Sequence, residues 1–222
     1  MKLHILLDII QLIFPKTCFS CKNVLLSRER ILCLKCYLNL PKHIGKKKKH
    51  QFNLYVNGQN YKIYCRYKYQ KKSAVQKMIY SLKYKNKPHI GYYLGAELYK
   101  TISHLQDVSY IIPVPLHKRK EKIRGYNQSQ ILAKGMKPNI KCEVLSNILL
   151  RKEDKESQTR KSRYHRFENI EGVFFITSKK LLENKHIILI DDVFTTGATI
   201  SECIKALQEI NNIRISFVCL AA

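Results

Sequence analysis

The sequence predicts an α/β fold with a parallel β-sheet, joined to a small metal-binding module near the N-terminus. The apolar run at residues 186–190 is typical of a buried parallel strand. Residues 200–210 follow with apolar side chains at helical spacing, which predicts an amphipathic helix. Four cysteines near the N-terminus form two closely spaced pairs. We therefore expect two domains, at residues 1–45 and 46–222.

The N-terminal cysteines predict a structural zinc site. Cys18 and Cys21, and then Cys33 and Cys36, form two C-x2-C pairs with eleven residues between them. Two such turns supply the four thiolates of a tetrahedral Zn²⁺ site, and the metal stabilises a region too small to fold alone. The alternative, a redox pair, requires a thioredoxin-like βαβ context that this region lacks.

The first residues raise the question of a secretion signal. Residues 3–14 are largely apolar, but Asp8 interrupts the run and no small-residue cleavage site precedes Cys18. A short amphipathic helix packed on its own domain is the better interpretation. No segment reaches the length of about 20 apolar residues that crosses a bilayer. We therefore expect a cytoplasmic protein whose cysteines are not disulfide-bonded.

The middle of the chain predicts a hairpin and then two helices. Residues 52–69 alternate around Asn57 and Gly58, which is typical of a β-hairpin with a tight turn. Its tyrosines either pack the sheet or stack on single-stranded bases. The basic segment 41–50 is either a solvated tether or a nucleic-acid contact. Helices are expected at 74–83 and 90–104, broken near Pro88.

A basic segment follows the strand predicted at residues 108–112. Anions bind at the carboxyl ends of parallel strands, so this loop is a candidate pyrophosphate site; the alternative is a solvated basic turn. A helix is expected at 128–136. The candidate residues of the loop are Pro113, Val114, Pro115, Lys118, Arg119 and Arg124.

The polar segment at 151–170 is a candidate lid over an active site. The alternative is an exposed loop with a short amphipathic helix. Strands are expected to end at 148–150 and to form at 172–176 and 213–220. The candidate lid residues are Gln158, Thr159, Arg160 and Arg166, with Lys155 and Lys161 as cations that neutralise a departing anion.

The segment after the strand at 186–190 carries the clearest chemical signal. A tight turn leading into a helix N-terminus offers N–H groups and a positive dipole end to a phosphate. Asp191 and Asp192 can accept hydrogen bonds from vicinal ribose hydroxyls, so the site fits a phosphorylated sugar. The candidate residues are Asp191, Asp192, Val193, Thr195, Thr196, Gly197, Ala198 and Thr199.

The charge of the chain favours polyanionic partners. The formal net charge is +25, from 41 Lys and Arg against 16 Asp and Glu. Nucleic acid, a phosphorylated metabolite and an anionic membrane all fit such a charge. Lys, Ile, Asn and Tyr are abundant while Trp is absent, so an AT-rich genome accounts for part of the lysine excess.

These motifs resemble a known family. The acidic pair followed by T-T-G-x-T at residues 195–199 resembles the motif that binds phosphoribosyl pyrophosphate (PRPP) in type I phosphoribosyltransferases. The four cysteines, S-L-K-Y at 81–84, I-P-V-P-L at 112–116 and R-G-Y-N-Q at 124–128 resemble blocks of the ComF family, nearly end to end.

The resemblance implies a type I phosphoribosyltransferase fold, PRPP binding with Mg²⁺, and a role in handling single-stranded DNA during natural transformation beside a helicase-like partner. Asp191 and Asp192 would stabilise positive charge on the ribose. Thr195 stands where purine-salvage members of the superfamily often have Asp, which disfavours a hypoxanthine-guanine reaction. An active phosphoribosyltransferase with an unidentified acceptor, a DNA-handling adaptor and an effector-binding regulator all stay open, as does the oligomeric state.

Overall fold

The computed structural model describes residues 14–42, 51–152 and 172–222. Within these ranges, six strands form one sheet in the order β1-β2-β8-β7-β3-β4. All neighbouring pairs are parallel except β1 and β2, which form an antiparallel hairpin. The strands are β1 (Gln51–Val56), β2 (Gln59–Tyr67), β3 (Val108–Pro113), β4 (Glu143–Val144), β7 (His186–Val193) and β8 (Arg214–Ala221).

Six helices accompany the sheet in the described ranges. They are α1 (Leu34–Leu38), α2 (Ala74–Tyr84), α3 (Pro88–Ile102), α4 (Lys118–Arg124), α5 (Gln128–Met136) and α6 (Ala198–Gln208). Short 3₁₀ turns lie at Lys137–Asn139 and Lys180–Leu182. Strands β5 (Leu149–Arg151) and β6 (Phe174–Ile176) pair antiparallel in a separate two-stranded sheet.

The sheet is covered by apolar side chains on both faces. Because side chains alternate along a strand, Ile188 and Ile190 of β7 pack in one core while Ile187 and Leu189 pack in the other. The first core contains the buried faces of α2, α3 and α5, and the second contains that of α6. Burial on both faces explains why β7 is an unbroken apolar run rather than an alternating one.

The predicted hairpin and helices are confirmed, with boundaries shifted by a few residues. Asn57 (φ 48°) and Gly58 (φ 77°) both have positive φ, as the tight turn between β1 and β2 requires. Pro88 occupies the first turn of α3, so the break before it is a helix start. The strand expected from residue 172 begins only at Phe174.

The basic segment after β3 differs from the expected loop. Residues 118–124 form helix α4, whose N-cap His117 accepts a hydrogen bond from the Arg119 N–H through its side chain. Gly125 ends the helix with φ 78° in the left-handed region. Lys and Arg are good helix formers, so a run of them between a cap and a glycine is helical.

Candidate functional site

The candidate site is built where β7 gives way to α6. The strand ends at Val193, and the turn that follows reaches the N-cap of α6 at Gly197. Gly197 has φ 79°, and a Cβ there would lie 3.2 Å from the Phe194 ring. The backbone conformation therefore favours glycine, and a Cβ would also require the Phe194 ring to shift slightly. The first N–H groups of α6 lack intrahelical acceptors, which makes this turn suitable for an anion.

The two carboxylates at the end of β7 are held by different partners. Asp191 Oδ1 accepts hydrogen bonds from Ser129 Oγ of α5 and from the Asp192 N–H, each at 2.8 Å. Asp192 Oδ2 lies 2.8 Å from Lys83 Nζ of α2 in an ion pair that is largely buried. Helices α2 and α5, which pack in the same core on one face of the sheet, therefore orient the acidic pair.

The environment of Asp191 favours a proton on its carboxyl. Burial, and then the charge of Asp192, raise the pKa of Asp191 to about 7. The Asp192 N–H, the Ser129 hydroxyl and the Lys83 ammonium oppose this shift without cancelling it. Asp191 is therefore a titrating group near neutral pH, a property that functional carboxylates often have.

A cavity of about 1240 Å³ opens above the acidic pair. It brings together five of the predicted sugar-phosphate residues with three of the predicted pyrophosphate residues. The first group is Asp191, Asp192, Val193, Thr195 and Thr199, and the second is Val114, Pro115 and Arg124. Thr196, Gly197 and Ala198 line a smaller recess of about 50 Å³ inside the turn.

The remaining predicted residues fall elsewhere. Pro113 ends β3, and Lys118 and Arg119 start α4; none of these three residues lines the cavity. From the middle of α4, Lys120 lines it instead. The predicted lid residues lie outside the described residues, and they are Lys155, Gln158, Thr159, Arg160, Lys161 and Arg166. Arg151, just before that segment, does line the cavity.

Three site residues were missed by the sequence analysis. Lys83 and Ser129 contact the acidic pair, and Asn127 Nδ2 donates to the Val114 carbonyl at 2.9 Å, which fixes the chain after β3. Lys83 and Asn127 lie in segments that carry the family resemblance, which is the only signal the sequence offers for them. Ser129 has no such signal, because its contact is with a residue 62 positions away.

The four N-terminal cysteines converge as their spacing predicts. Their Sγ atoms all lie within 4.8 Å of one another, with Cys21 and Cys33 3.6 Å apart. A tetrahedral Zn²⁺ site with Zn–S bonds of about 2.3 Å separates its sulfurs by about 3.8 Å. These four thiols can therefore bind a metal such as zinc.

The thiols are not equivalent. Burial alone would raise the pKa of Cys18, but backbone hydrogen bonds from Cys21, Cys33 and Ser20 outweigh it and lower that pKa to about 6. Burial, together with the neighbouring Cys21 and Cys33 thiols, raises the pKa of Cys36 to about 12. The thiolate is the form that binds a metal, so Cys18 is the most readily available ligand of the four and Cys36 must lose its proton when a metal binds.

Comparison with known proteins relates this chain to one family. The family described as "Phosphoribosyl transferase domain" matches residues 124–222, which contain the acidic pair and the Gly197 turn. Competence protein F of Haemophilus influenzae is 32% identical over 119 residues, covering 53% of this chain and 52% of that protein. The chain is homologous to this competence protein over about half of its length.

Two further relatives support this relationship. Competence protein ComFC of Bacillus subtilis is 33% identical over 99 residues, covering 45% of this chain and 38% of that protein. DNA utilization protein YhgH of Escherichia coli O157:H7 is 28% identical over 149 residues, covering 64% and 65%. The match thus spans less than two thirds of the length of each of these relatives.

The fold of this chain is the type I phosphoribosyltransferase fold, with a cysteine cluster at the N-terminal side that can form a zinc module. The mostly parallel sheet, with helices on both faces and the acidic pair at a strand end, is the architecture that the sequence predicts. In the described parts of the chain, no helix combines the length and apolar character needed to span a membrane.

Proposed function

We propose that this protein binds PRPP in the 1240 Å³ cavity and takes part in handling single-stranded DNA in natural competence. The observation that carries the proposal is the placement of Asp191 and Asp192 beside the Gly197 turn, with Lys120 and Arg124 lining the same cavity. Carboxylates, a helix N-terminus and cations thus surround one space, as a sugar carrying phosphates at two positions requires.

In this proposal each part of PRPP has a protein partner. The 5-phosphate binds the turn at 195–199 and the N-terminus of α6. The ribose diol donates hydrogen bonds to Asp191 and Asp192. The pyrophosphate lies between the chain after β3 and the basic side chain of Arg124. Carboxylate and phosphate oxygens with several waters are what Mg²⁺ prefers, so the residues present fit this ion, which would neutralise the pyrophosphate when bound.

Catalysis is the alternative interpretation of the same geometry. In a phosphoribosyl transfer, the bond between C1 and the pyrophosphate oxygen breaks, pyrophosphate leaves with the bonding electrons, and a nucleophile forms the new bond to C1. The acidic pair would stabilise the positive charge that develops on the ribose. Lys155 and Lys161 are proposed to neutralise the departing pyrophosphate. The acceptor is unidentified.

The DNA part of the proposal rests on two supports. Relatives are named for competence and for DNA utilization. The chain carries a formal net charge of +25, which suits a polyanion. A cytoplasmic location and a helicase-like partner belong to the same proposal.

We also propose that residues 1–45 and 46–222 are the two domains, and that the cysteine cluster binds Zn²⁺ in a structural role. All four ligand positions of a tetrahedral site are filled by thiols, which leaves no position for a substrate. The Tyr37 hydroxyl of this module donates a hydrogen bond to Glu97 of α3. This contact supports packing of the module against the larger domain.

The test is calorimetric titration of PRPP with Mg²⁺ into zinc-replete protein. An Asp191→Asn/Asp192→Asn variant should lose binding, because it removes both negative charges while keeping the side-chain volumes. Asp107→Asn, a single exposed carboxylate away from the cavity, is the control and should bind like the wild type. Absence of binding to the wild type, or equal binding to the double variant, would refute the proposed site.

A further inference from the structure

The face of helix α2 that lines the cavity carries two exposed tyrosines. Val75, Met78 and Leu82 of this helix are buried in the core. Tyr80 and Tyr84 lie on another face with 53% and 62% of their surface exposed. Their ring centroids are 4.9 Å apart, as expected for positions four residues apart on a helix. Packing does not explain two large rings held side by side in an open cavity.

Each aromatic ring that faces this cavity from α2 has a cation beside it. Lys85 Nζ lies 5.9 Å from the Tyr80 centroid, and the Arg124 guanidinium lies 5.3 Å from that of Tyr84. Phe19, between the first two cysteines, has the same arrangement, with Lys22 at 5.5 Å and Lys87 at 5.9 Å. Alternating rings and cations are the recognition elements that proteins use for unpaired nucleotides.

The size and charge of the cavity fit a ligand larger than PRPP. Its volume of 1240 Å³ exceeds the range of about 300–1,000 Å³ typical of small-molecule sites. Among the described residues, eight Lys and Arg side chains line it against two carboxylates. The two carboxylates are Asp191 and Asp192. All the other charged side chains that line the cavity, among the described residues, are therefore basic.

The cavity also runs between two parts of the chain. Phe19, Ser20 and Lys22 of the cysteine module line it together with the turn after β7. Tyr80 and Tyr84 lie on the helix that supplies Lys83 to Asp192, so the aromatic surface adjoins the acidic pair.

We propose that Tyr80 and Tyr84 form a stacking platform for single-stranded nucleic acid, which enters the cavity past the cysteine module. Two bases stack on the tyrosines, and the adjoining phosphates contact Lys77 and Lys85. Duplex DNA keeps its base faces stacked on one another, so the platform selects single strands. This inference rests on the proposed function and extends it, because it identifies which surface of the same cavity binds the DNA.

The test is fluorescence anisotropy of a labelled oligothymidylate bound to zinc-replete protein. Tyr80→Ala/Tyr84→Ala should weaken binding by at least about tenfold, given the usual loss per stacked base. Tyr80→Phe/Tyr84→Phe keeps both rings and should bind like the wild type. Tyr92→Ala removes a tyrosine that is 45% exposed on α3, outside the cavity lining, and should have no effect.

A salt titration separates stacking from charge. Lys77→Gln/Lys85→Gln should reduce the slope of log affinity against log salt by about 0.7 for each phosphate that the two lysines neutralise. The tyrosine variants should lower the affinity at every salt concentration and leave that slope unchanged. A matching duplex should bind more weakly than the single strand.

The outcomes distinguish this inference from the proposed PRPP site. Wild-type protein that fails to bind the oligonucleotide, equal affinity for the duplex, or undiminished binding by the alanine double variant would each overturn the platform. Thermal unfolding of the variants, with each single alanine substitution alongside, detects a loss of folding. PRPP titration of Tyr80→Ala reports the sugar-phosphate site separately, because the cation beside the Tyr80 ring is Lys85, whereas Tyr84 lies against Arg124, which the proposed PRPP site uses.

Discussion

At the scale of single residues, the acidic pair shows how neighbours set the character of like groups. Asp191 and Asp192 are adjacent in the sequence, but only Asp192 has a cation at 2.8 Å. Asp191 instead accepts from a hydroxyl and a backbone N–H, and its pKa rises to about 7. One carboxylate is thus held in an ion pair while its neighbour can gain or lose a proton near neutral pH.

The raised pKa of Asp191 predicts a pH dependence of PRPP binding. The ionised carboxylate accepts the ribose hydroxyls, so affinity should rise as pH increases through about 7. Well below that value, each pH unit should cost up to about tenfold in affinity, because binding must release one proton. Calorimetry across this range measures the effect.

Asp191→Asn is the control for this pH dependence, because it removes the titrating group and should flatten the profile. Asp107→Asn should keep the wild-type profile. The effect on stability has the opposite sign: a carboxyl whose folded pKa is raised favours the folded state at low pH and loses that contribution as pH rises through about 7. A wild-type affinity that stays constant from acid to alkaline pH would contradict the prediction.

The Lys83–Asp192 ion pair predicts a loss of stability when the cation is removed. Lys83→Met keeps most of the side-chain volume but leaves the buried Asp192 carboxylate without its cation. We expect the free energy of unfolding to fall by about 1–3 kcal/mol, the usual cost of an unsatisfied buried group. Urea denaturation measures it.

Lys77→Met, an exposed position on the same helix, is the matched control for Lys83→Met and should change stability little. If the two substitutions had equal effects, the ion pair would contribute nothing beyond the general effect of removing a lysine from α2.

At the scale of elements, Glu97 of α3 links helix α1, which follows the third cysteine, to strand β2. Its carboxylate, only 5% exposed, accepts hydrogen bonds from the Tyr37 hydroxyl and from Arg66 of β2, each at 3.1 Å, and from Lys100. Burial alone would raise the pKa of Glu97, but Lys100 and Arg66 outweigh it and lower that pKa. Three elements therefore meet at one carboxylate.

Glu97→Ala should destabilise the protein and loosen the cysteine module. The substitution leaves Arg66 without its carboxylate partner, and breaking a buried ion pair typically costs about 3–5 kcal/mol. Urea denaturation measures the loss, and faster zinc transfer to a chelator reports the loosened module. Glu209→Ala removes an exposed carboxylate that pairs with Lys179 and should have little effect. Similar behaviour of the two variants would show that Glu97 does not hold the module.

The elements also show what the sequence could predict. Strand β7 and helix α6 follow from their apolar patterns, and the hairpin follows from Asn57 and Gly58, because these signals are local. Helix α4 was predicted wrongly as a loop, although His117 and Gly125 mark both of its ends. Strand β4 has only two residues, too few for any periodicity.

The candidate site divides in the same way. The carboxylates and the glycine turn lie within one continuous segment, so their pattern is visible in the sequence. Lys83 reaches Asp192 only because α2 packs on the sheet, and no local pattern encodes that contact. The tyrosine platform likewise depends on which face of α2 is left uncovered by the core.

At the scale of the whole molecule, the sheet pairs strands that lie far apart in the sequence. Strand β2 pairs with β8, so Lys62 lies opposite Ser216 and Cys65 opposite Cys219. The hairpin is therefore a local unit along one edge, but its attachment to β7 passes through a strand encoded much later. Contacts between residues so far apart form slowly, because a large loop must close first.

The order of the strands has a consequence for synthesis on the ribosome. When β2 leaves the ribosome, its partner β8 has not yet been synthesised. Ile63 and Cys65, which are fully buried in the finished sheet, are therefore still exposed on the β8 side. The cysteine module and the hairpin can each form early, since both depend on neighbours in sequence. The cavity between the cysteine module and the acidic pair forms only after β7 and β8 have been synthesised, so a nascent chain presents its tyrosines to solvent well before it can bind a sugar phosphate.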